Sequence, residues 1–554
     1  MRNTLPTTVG DLVAAFLESH GVTIAFGVIS VHNMPMLDAI HRRGSVRFVP
    51  ARGEAGATNM ADAAARASGR LAAAITSTGT GAGNAAGALV EACTAGTPLL
   101  HITSQIDTPF LDLGYGYLHE APAQLDMLKA VSKAAFRVRS ASEALATLRE
   151  AARIARTPPT GPVSVEIPID IQREPIDIPA DLSPLPLAAA EPDAAALDRL
   201  AARMVAARRP LLWLGGGARE AGAAVARLAG LGIGVVTSSA GRGILPDDHP
   251  LSLGAYGNAP PVEKLYESVD FMLVVGSHLR SNETRTYNLK LPAARGRIDV
   301  DPATEQRSYP SEVFVAGDAR LALEGLLWRL DGRLRIDPAF AADIAAARRE
   351  AEAGLRRVAG AYAPMLDVLE RAMPKDALWV RDITLSNSIW GNRAPTLRDP
   401  RASIFALGGG IGQGLAMAVG AALGGGGRKT VAIVGDGGLQ LGLGELATVA
   451  ESRPDMVLLL MNDGGYGVIR NMQDNDYGGR RCYADLKGPD FGLLAEGLGI
   501  PHRRIRDMNA FAPAFAEALA VTGPFILELD MAAIGPFGAR AGGFPPPPAW
   551  AGRR

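Results

Sequence analysis

Two aspartates carry the strongest chemical signal in this sequence. Asp436 closes the apolar run KTVAIVGD (429–436) and is followed by Gly437 and Gly438. Asp463 closes MVLLLMND (456–463) and is followed by Gly464 and Gly465. The helical stretch LQLGLGELATVAESR joins the two runs, so the spacing predicts a strand–helix–strand unit whose parallel strands end on one edge. Ligands of open α/β sheets bind at that carboxyl edge. Two carboxylates converging there, with room for water, suit a hard cation such as Mg²⁺ or Ca²⁺, which in turn holds phosphate groups. The glycines let backbone N–H groups approach a diphosphate beside a helix N-terminus. Either aspartate alone reads equally well as a helix N-cap or turn residue. The pair in one frame points to cation and diphosphate chemistry.

Two further places could act on what such a site holds. In FVPARGEAGATNMADAAARASG (48–69) the carboxylate of Glu54 stands where a strand gives way to a helix; by itself it complements the helix dipole. In FALGGGIGQGLAMAVGAAL (405–423) the apolar Ile411 is flanked by glycines, and by itself it is a buried loop contact. Phe405 to Gly427 carries no charge, yet its glycines and the absence of interfacial anchors predict a buried loop and core helix, not a membrane span. The opening MRNTLPTTVGDLVAAFLESHG has no basic start followed by an apolar stretch and cleavage site, so no signal peptide is expected.

Positioning these groups requires sheets. Apolar runs of strand length at 22–28, 46–51, 71–78 and 98–105 alternate with helices such as Glu54–Ser68 and Asn84–Ala95. A second set falls at 210–218, 233–239, 271–277, 296–301 and 313–318, and a third at 378–383, 403–408, 429–436, 456–463 and 525–531. This alternation predicts an α/β chain of three doubly wound parallel-sheet domains, 1–178, 195–332 and 358–554. IDIPADLSPLPLAAAEPD (176–193) reads as a linker, the charged stretch 335–357 as a helix, and the tail AGGFPPPPAWAGRR as an arm or lid.

The chain has 554 residues, enough to bury several cores, and a net charge of −1, which leaves no electrostatic footprint for nucleic acid or an anionic membrane. Its two cysteines, Cys93 and Cys482, exclude a disulfide framework and a four-thiolate metal site. They are expected to be buried small apolar residues of a cytoplasmic protein. Glycine is in excess at 64 residues, while 48 % of residues are hydrophobic, which excludes disorder. The clusters Gly79–Gly87, Gly408–Gly414, Gly435–Gly444 and Gly464–Gly467 are expected where backbone must touch a ligand.

Gly435-Asp436-Gly437, followed one strand–helix–strand unit later by Asn462-Asp463, resembles the cofactor fingerprint of thiamin diphosphate-dependent enzymes. That fingerprint ends in two asparagines, and Asp463 replaces the second, keeping an oxygen ligand and adding a negative charge. The resemblance implies thiamin diphosphate and Mg²⁺, with Asp436 and Asp463 binding metal through side chains and Gly465 through its carbonyl. It places Gly435, Gly437, Gly438, Tyr466, Gly467 and Val468 around the cofactor. Glu54 resembles the family glutamate that hydrogen-bonds N1′ of the aminopyrimidine, so that the 4′-imino form can deprotonate C2 of the thiazolium. Gly53 stands where many relatives carry His. The 405–423 stretch resembles the loop that bends the cofactor, with Ile411 as the wedge and Gly409 as the carbonyl accepting from the 4′-amino group. The likeness spans almost the whole chain as pyrimidine-binding, central and diphosphate-binding domains. It implies a homodimer or homotetramer, because glutamate and metal site of one centre come from different subunits.

Within the family the pattern resembles the acetolactate synthase and benzoylformate decarboxylase branch. FGVISVHNMPMLDAI (26–40) stands in place of a Gly-Val-Pro-Gly loop, which puts Val31 and His32 beside the substrate. Ser77 falls where some benzoylformate decarboxylases carry histidine, and His119 replaces a pocket glutamine of acetolactate synthases. His32 reads equally as an ordinary loop histidine; His119 reads as a proton shuttle or as a capping or packing residue. The implied reaction is decarboxylation of a 2-oxo acid, then addition to a second carbonyl acceptor or release of an aldehyde; sparse histidines favour addition. An oxidase or oxalyl-CoA-type lyase is the alternative within the family, and a catalytically silent regulatory subunit the alternative outside it. LLWLGGGAREAGAAVARLAG (211–230) resembles the central domain that holds FAD or an ADP-containing ligand in some relatives. Arg280 and Arg285 would meet such a ligand or the surface, and an empty structural domain is the simpler reading.

Overall fold

Short apolar runs without charge form strands buried on both faces, as parallel sheets covered by helices require. A computed structural model describes residues 7–305 and 307–538; the expected tail arm lies outside the described residues beyond 538. The first sheet contains β1 (Ile24–Gly27), β2 (Arg47–Pro50), β3 (Ala72–Thr76), β4 (Leu99–Gln105), β5 (Ala134–Arg137) and β6 (Val163–Pro168) in the order β2-β1-β3-β4-β6-β5. The second contains β7 (Pro210–Leu214), β8 (Gly234–Thr237), β9 (Phe271–Val275), β10 (Arg295–Asp299) and β11 (Val313–Ala316), ordered β11-β10-β9-β7-β8. The third contains β12 (Leu378–Arg381), β13 (Ser403–Phe405), β14 (Thr430–Gly435), β15 (Met456–Asn462), β16 (His502–Ile505) and β17 (Phe525–Asp530), ordered β13-β12-β14-β15-β17-β16. Neighbouring strands pair in parallel throughout. Each sheet has a central point where its winding reverses, between β1 and β3, between β7 and β9, and between β12 and β14; the first and third turn back once more at their β5 and β16 edges. Such switch points open a crevice outside the strand ends.

Six helices matter to the site: α1 (Glu54–Ser68), α2 (Thr80–Ala95), α3 (Gly414–Gly424), α4 (Asp436–Leu441), α5 (Glu445–Ser452) and α6 (Gly467–Asp476). α1 and α3 pack so closely that a side chain at Gly420 would collide with the Met60 carbonyl. One core runs through both outer domains, joining Phe26, Met60 and Leu89 to Met417, Val434 and Leu460. The uncharged stretch after Phe405 is thus a loop and a core helix, and no helix among the described residues is long and apolar enough to cross a membrane.

Three expectations differ from the structure. Cys93 and Cys482 are both exposed: Cys93 falls on the outer face of α2, and Cys482 lies in the segment after α6. α2 begins at Thr80, four residues before the expected start, so Gly81, Gly83 and Gly87 are helical; Gly83 and Gly87 face open space. Strands β5, β6 and β16 were not expected.

Candidate active site

The crevice between β12 and β14 forms a cavity of about 290 Å³. Its walls are the turn after β12 (Ile383–Ser386), Gly409 and Ile411 from the loop before α3, Gly435 and Gly438, and Asp463 with Gly465–Ile469 after β15. Only glycine fits at several of these places. A side chain at Gly437 would collide with the Tyr466 ring and the Gly465 carbonyl, and one at Gly438 would meet Asp382 Oδ2 and Ile411. Gly435 and Gly438, at the start of α4, line the cavity, where the first N–H groups of a helix lack helical partners and can meet a ligand's oxygens.

Asp436 and Asp463 meet at one end of this cavity, where the Asp463 N–H donates to Asp436 Oδ1 at 3.1 Å. Asp436 is 1 % exposed. Both carboxyls are pushed above their ordinary range, first by burial; for Asp436 the charge of Asp463 is the second cause. Among the described residues no cation pairs with Asp436, whereas Arg470 pairs with Asp463 at 2.7 Å. No group of three or more His, Cys, Asp or Glu side chains is placed to hold a metal among those residues. Two carboxylates with the main-chain oxygen of Gly465 would leave positions for water and phosphate oxygens, a donor set that would suit Mg²⁺.

The loop over the cavity is held from beneath by a residue the sequence reading did not single out. Asp382, fully buried, accepts the N–H of Ile383 at 2.7 Å and of Gly412 at 3.1 Å. Burial pushes its carboxyl up to about 6. The anchor leaves Ile411 40 % exposed against the cavity, flanked by Gly409 and Gly412 with φ of 84° and 86°. From the far side Glu91, buried, accepts Leu407 N–H at 2.7 Å and Gly408 N–H at 2.6 Å. Thr384, Leu385 and Ser386 were also missed. Their signal was present: RDITLS follows the strand that lies beside β14 at the switch point.

The remaining candidates assemble at the equivalent crevice of the first sheet and do not line this cavity. Glu54 opens α1, and its Oε2 accepts the Asn84 amide of α2 at 3.1 Å. Ser77, after β3, is buried with Oγ unpartnered. His32, after β1, is 3 % exposed, with Nδ1 unpartnered and its ring 5.1 Å from that of His119. Burial, then the neighbouring His119, lower the His32 pKa. Val31 is exposed beside it. Gln124 accepts Gly79 N–H at 2.7 Å and Thr78 Oγ1 at 2.9 Å, fixing the turn against which His119 rests.

The central domain's glycine turn is filled by backbone. Gly217 N–H donates to the Gly276 carbonyl at 3.0 Å, and a side chain at Gly215 would collide with that same oxygen. Arg280 donates to the Leu407 carbonyl at 2.8 Å, and Arg285 pairs with Glu263.

Comparison with known proteins agrees with this division. Residues 7–129 match the family model described as "Thiamine pyrophosphate enzyme, N-terminal TPP binding domain", 197–326 the corresponding central domain, and 385–529 the C-terminal TPP binding domain. The chain is 33 % identical over 528 residues to a "Probable 2-ketoarginine decarboxylase AruI" of Pseudomonas aeruginosa, covering 94 % of each chain. It is 28 % identical to a "Probable acetolactate synthase large subunit" of Methanococcus aeolicus, over 92 % of this chain and 90 % of the relative. Among solved structures, a thiamin diphosphate-dependent enzyme from Mycobacterium smegmatis superposes with a TM-score of 0.78 at 26 % identity, covering 95 % of this chain and 99 % of that one.

Proposed function

The chain belongs to the thiamine pyrophosphate enzyme family, and from that premise we propose that it decarboxylates a 2-oxo acid with thiamin diphosphate and Mg²⁺. The observation that carries this reading is the cavity at the switch point of the third sheet, which Asp463, Gly409 and Ile411 line together, with buried Asp436 directly behind Asp463. Asp436, Asp463 and the Gly465 carbonyl would hold the metal, and the N–H groups following Gly435 the diphosphate. When bound, the cofactor supplies an electron sink for the electron pair left as CO₂ departs. Glu54 would hold a proton at N1′, Gly409 would accept from the 4′-amino group, and Ile411 would keep the two rings bent together.

The paired imidazoles of His32 and His119 favour release of an aldehyde. Sparse histidines in the sequence favoured addition to a second carbonyl, but two rings 5.1 Å apart at the ligand edge of the first sheet support a proton donor for the product instead. Addition to an acceptor remains the second reading, supported by the likeness to acetolactate synthases. The glycine turn packed against Gly276 supports a structural central domain, without FAD or ADP. The position of Glu54 outside the cavity supports assembly as at least a homodimer, in which a partner would bring that glutamate to it.

The test is product analysis with pyruvate and with branched, aromatic and guanidino 2-oxo acids, with and without added aldehyde. CO₂ release from at least one acid is expected, with aldehyde as the main product. Glu54→Gln should lower turnover by orders of magnitude while thiamin diphosphate still binds; unchanged turnover would overturn the role of Glu54.

A further inference from the structure

The cation site of this chain contains one carboxylate where its fingerprint has an amide, and a guanidinium stands against that carboxylate. Arg470 lies one helical turn into α6. Its Nη2 is 2.7 Å from Asp463 Oδ1 and donates to the Asp463 main-chain carbonyl at 2.8 Å, while Nη1 donates to Asp485 Oδ1 at 3.1 Å. The arginine side chain is 16 % exposed. Gly467, at the start of the same helix, makes room for the other carboxylate oxygen, since a side chain there would collide with Asp463 Oδ2. The segment beyond α6 locks this arrangement: Tyr466 N–H donates to the Ala484 carbonyl at 2.8 Å, and Leu486 N–H to the Gly464 carbonyl at 2.9 Å.

We propose that Arg470 is a positioning residue of the cation site, and that Asp463 and Arg470 together replace one neutral oxygen ligand. The proposal rests on the reading of Asp436 and Asp463 as the cation ligands. Asp485, which Arg470 also meets, is 72 % exposed and screened by solvent; the two aspartates and Arg470 nearest the ion then present a net charge of −1, the same as one aspartate and one amide. Asp463→Asn alone then leaves the Arg470 cation beside the ion without its nearer partner, held only by the largely exposed Asp485. Adding Arg470→Gln removes that repulsion and restores the charge of the site. Arg470→Gln alone removes a positive charge from a cation's surroundings, which electrostatically favours the ion.

Mn²⁺ titrated into the full chain at saturating thiamin diphosphate, with free Mn²⁺ read by electron paramagnetic resonance, measures the effect without turnover. Asp463→Asn is expected to weaken Mn²⁺ binding about 10–100-fold, the range seen when partners of metal ligands are removed. The double variant Asp463→Asn/Arg470→Gln is expected to recover most of that loss, and Arg470→Gln alone to bind Mn²⁺ no more weakly than the parent. A double variant no better than Asp463→Asn overturns the proposal. So does a tenfold loss in Arg470→Gln, which would make the arginine a mere prop for the loop; that measurement decides even if the double variant does not fold. Asp436→Ala separates the two levels. If it binds Mn²⁺ like the parent, the cation site itself is misread; if it loses the ion while the double variant shows no recovery, only the role of Arg470 falls.

Discussion

Asp382 offers the sharpest test of how the wedge loop is held, because two effects of similar size oppose each other there. In Asp382→Asn the charge-assisted bonds from the Ile383 and Gly412 N–H groups are weakened, and the new amide NH₂ faces backbone donors; together these cost about 2–4 kcal/mol. Burial, however, penalises the charged form, holding the carboxyl up at about 6 even with those bonds in place, and the neutral asparagine escapes a penalty of similar size. Global stability should therefore change by no more than about 1 kcal/mol. The loop does not escape, since Gly412 loses its anchor and must be ordered again when a ligand binds. Fixing one residue costs about 1–2 kcal/mol, so thiamin diphosphate should bind about five- to thirtyfold more weakly. Urea unfolding and calorimetric titration of the cofactor read the two quantities separately. Undiminished cofactor affinity in a folded Asp382→Asn protein would refute the anchoring argument.

Glu91→Ala should destabilise the chain by about 3–5 kcal/mol, because it strips a buried partner from Arg66 and orphans the Leu407 and Gly408 N–H groups; a loss below about 1 kcal/mol in chemical denaturation would contradict this. His101 is fully buried, with its ring against Thr76 and Ser164, and burial lowers its pKa to about 4. A depressed histidine adds stability that is complete above the unfolded value near 6.5 and lost as pH falls toward 4. The parent should therefore lose about 2 kcal/mol between pH 7.5 and 5 that His101→Gln does not lose; parallel pH profiles in urea would exclude it. If complete sites form between copies, Glu54→Gln and Asp436→Ala homodimers, inactive alone, should regain about a quarter of parental turnover after co-refolding, because half the dimers then carry one intact site. Mixtures that stay inactive while exchange is demonstrated by mass would argue against shared sites.

Much of this architecture was legible because parallel strands are apolar on both faces. AAAIT, VAIVG and MVLLLMN leave no other reading, and the glycine–aspartate ends of the last two marked the ligand edge. The strands that escaped notice had reasons to. β5 and β16 are edge strands, and HRRI in β16 shows three polar residues in four because only Ile505 is fully buried. β6 is wholly buried yet contains Ser164 and Glu166, whose partners Ser132, Arg137 and Gln124 come from segments distant in sequence. Asp382 and Glu91 escaped for the same reason. Each bonds main-chain N–H groups of a loop far along the chain, and main-chain donors leave no trace in residue types. Cys93 was misjudged because periodicity within α2 did not reveal which face meets the core.

The way α1 is held bears directly on where a complete site can form. Glu54 begins this helix, and Arg66 lies twelve residues on, about 18 Å along the axis at 1.5 Å per residue. At that far end Arg66 pairs with Asp62 and Glu91 and donates to the Phe405 carbonyl at 2.8 Å, while Glu91 grips the next two free N–H groups before Gly409. One helix thus presents the glutamate at one end and anchors the wedge loop near the other. On the proposed reading Glu54 would reach N1′ and Gly409 the 4′-amino group, two positions on a single six-membered ring. Flexing cannot close the gap, because Met60 and Gly420 bring α1 and α3 into backbone contact and the ion triad is buried. On that reading Glu54 and the wedge loop, held at a fixed separation within one chain, would each meet their counterpart in another copy.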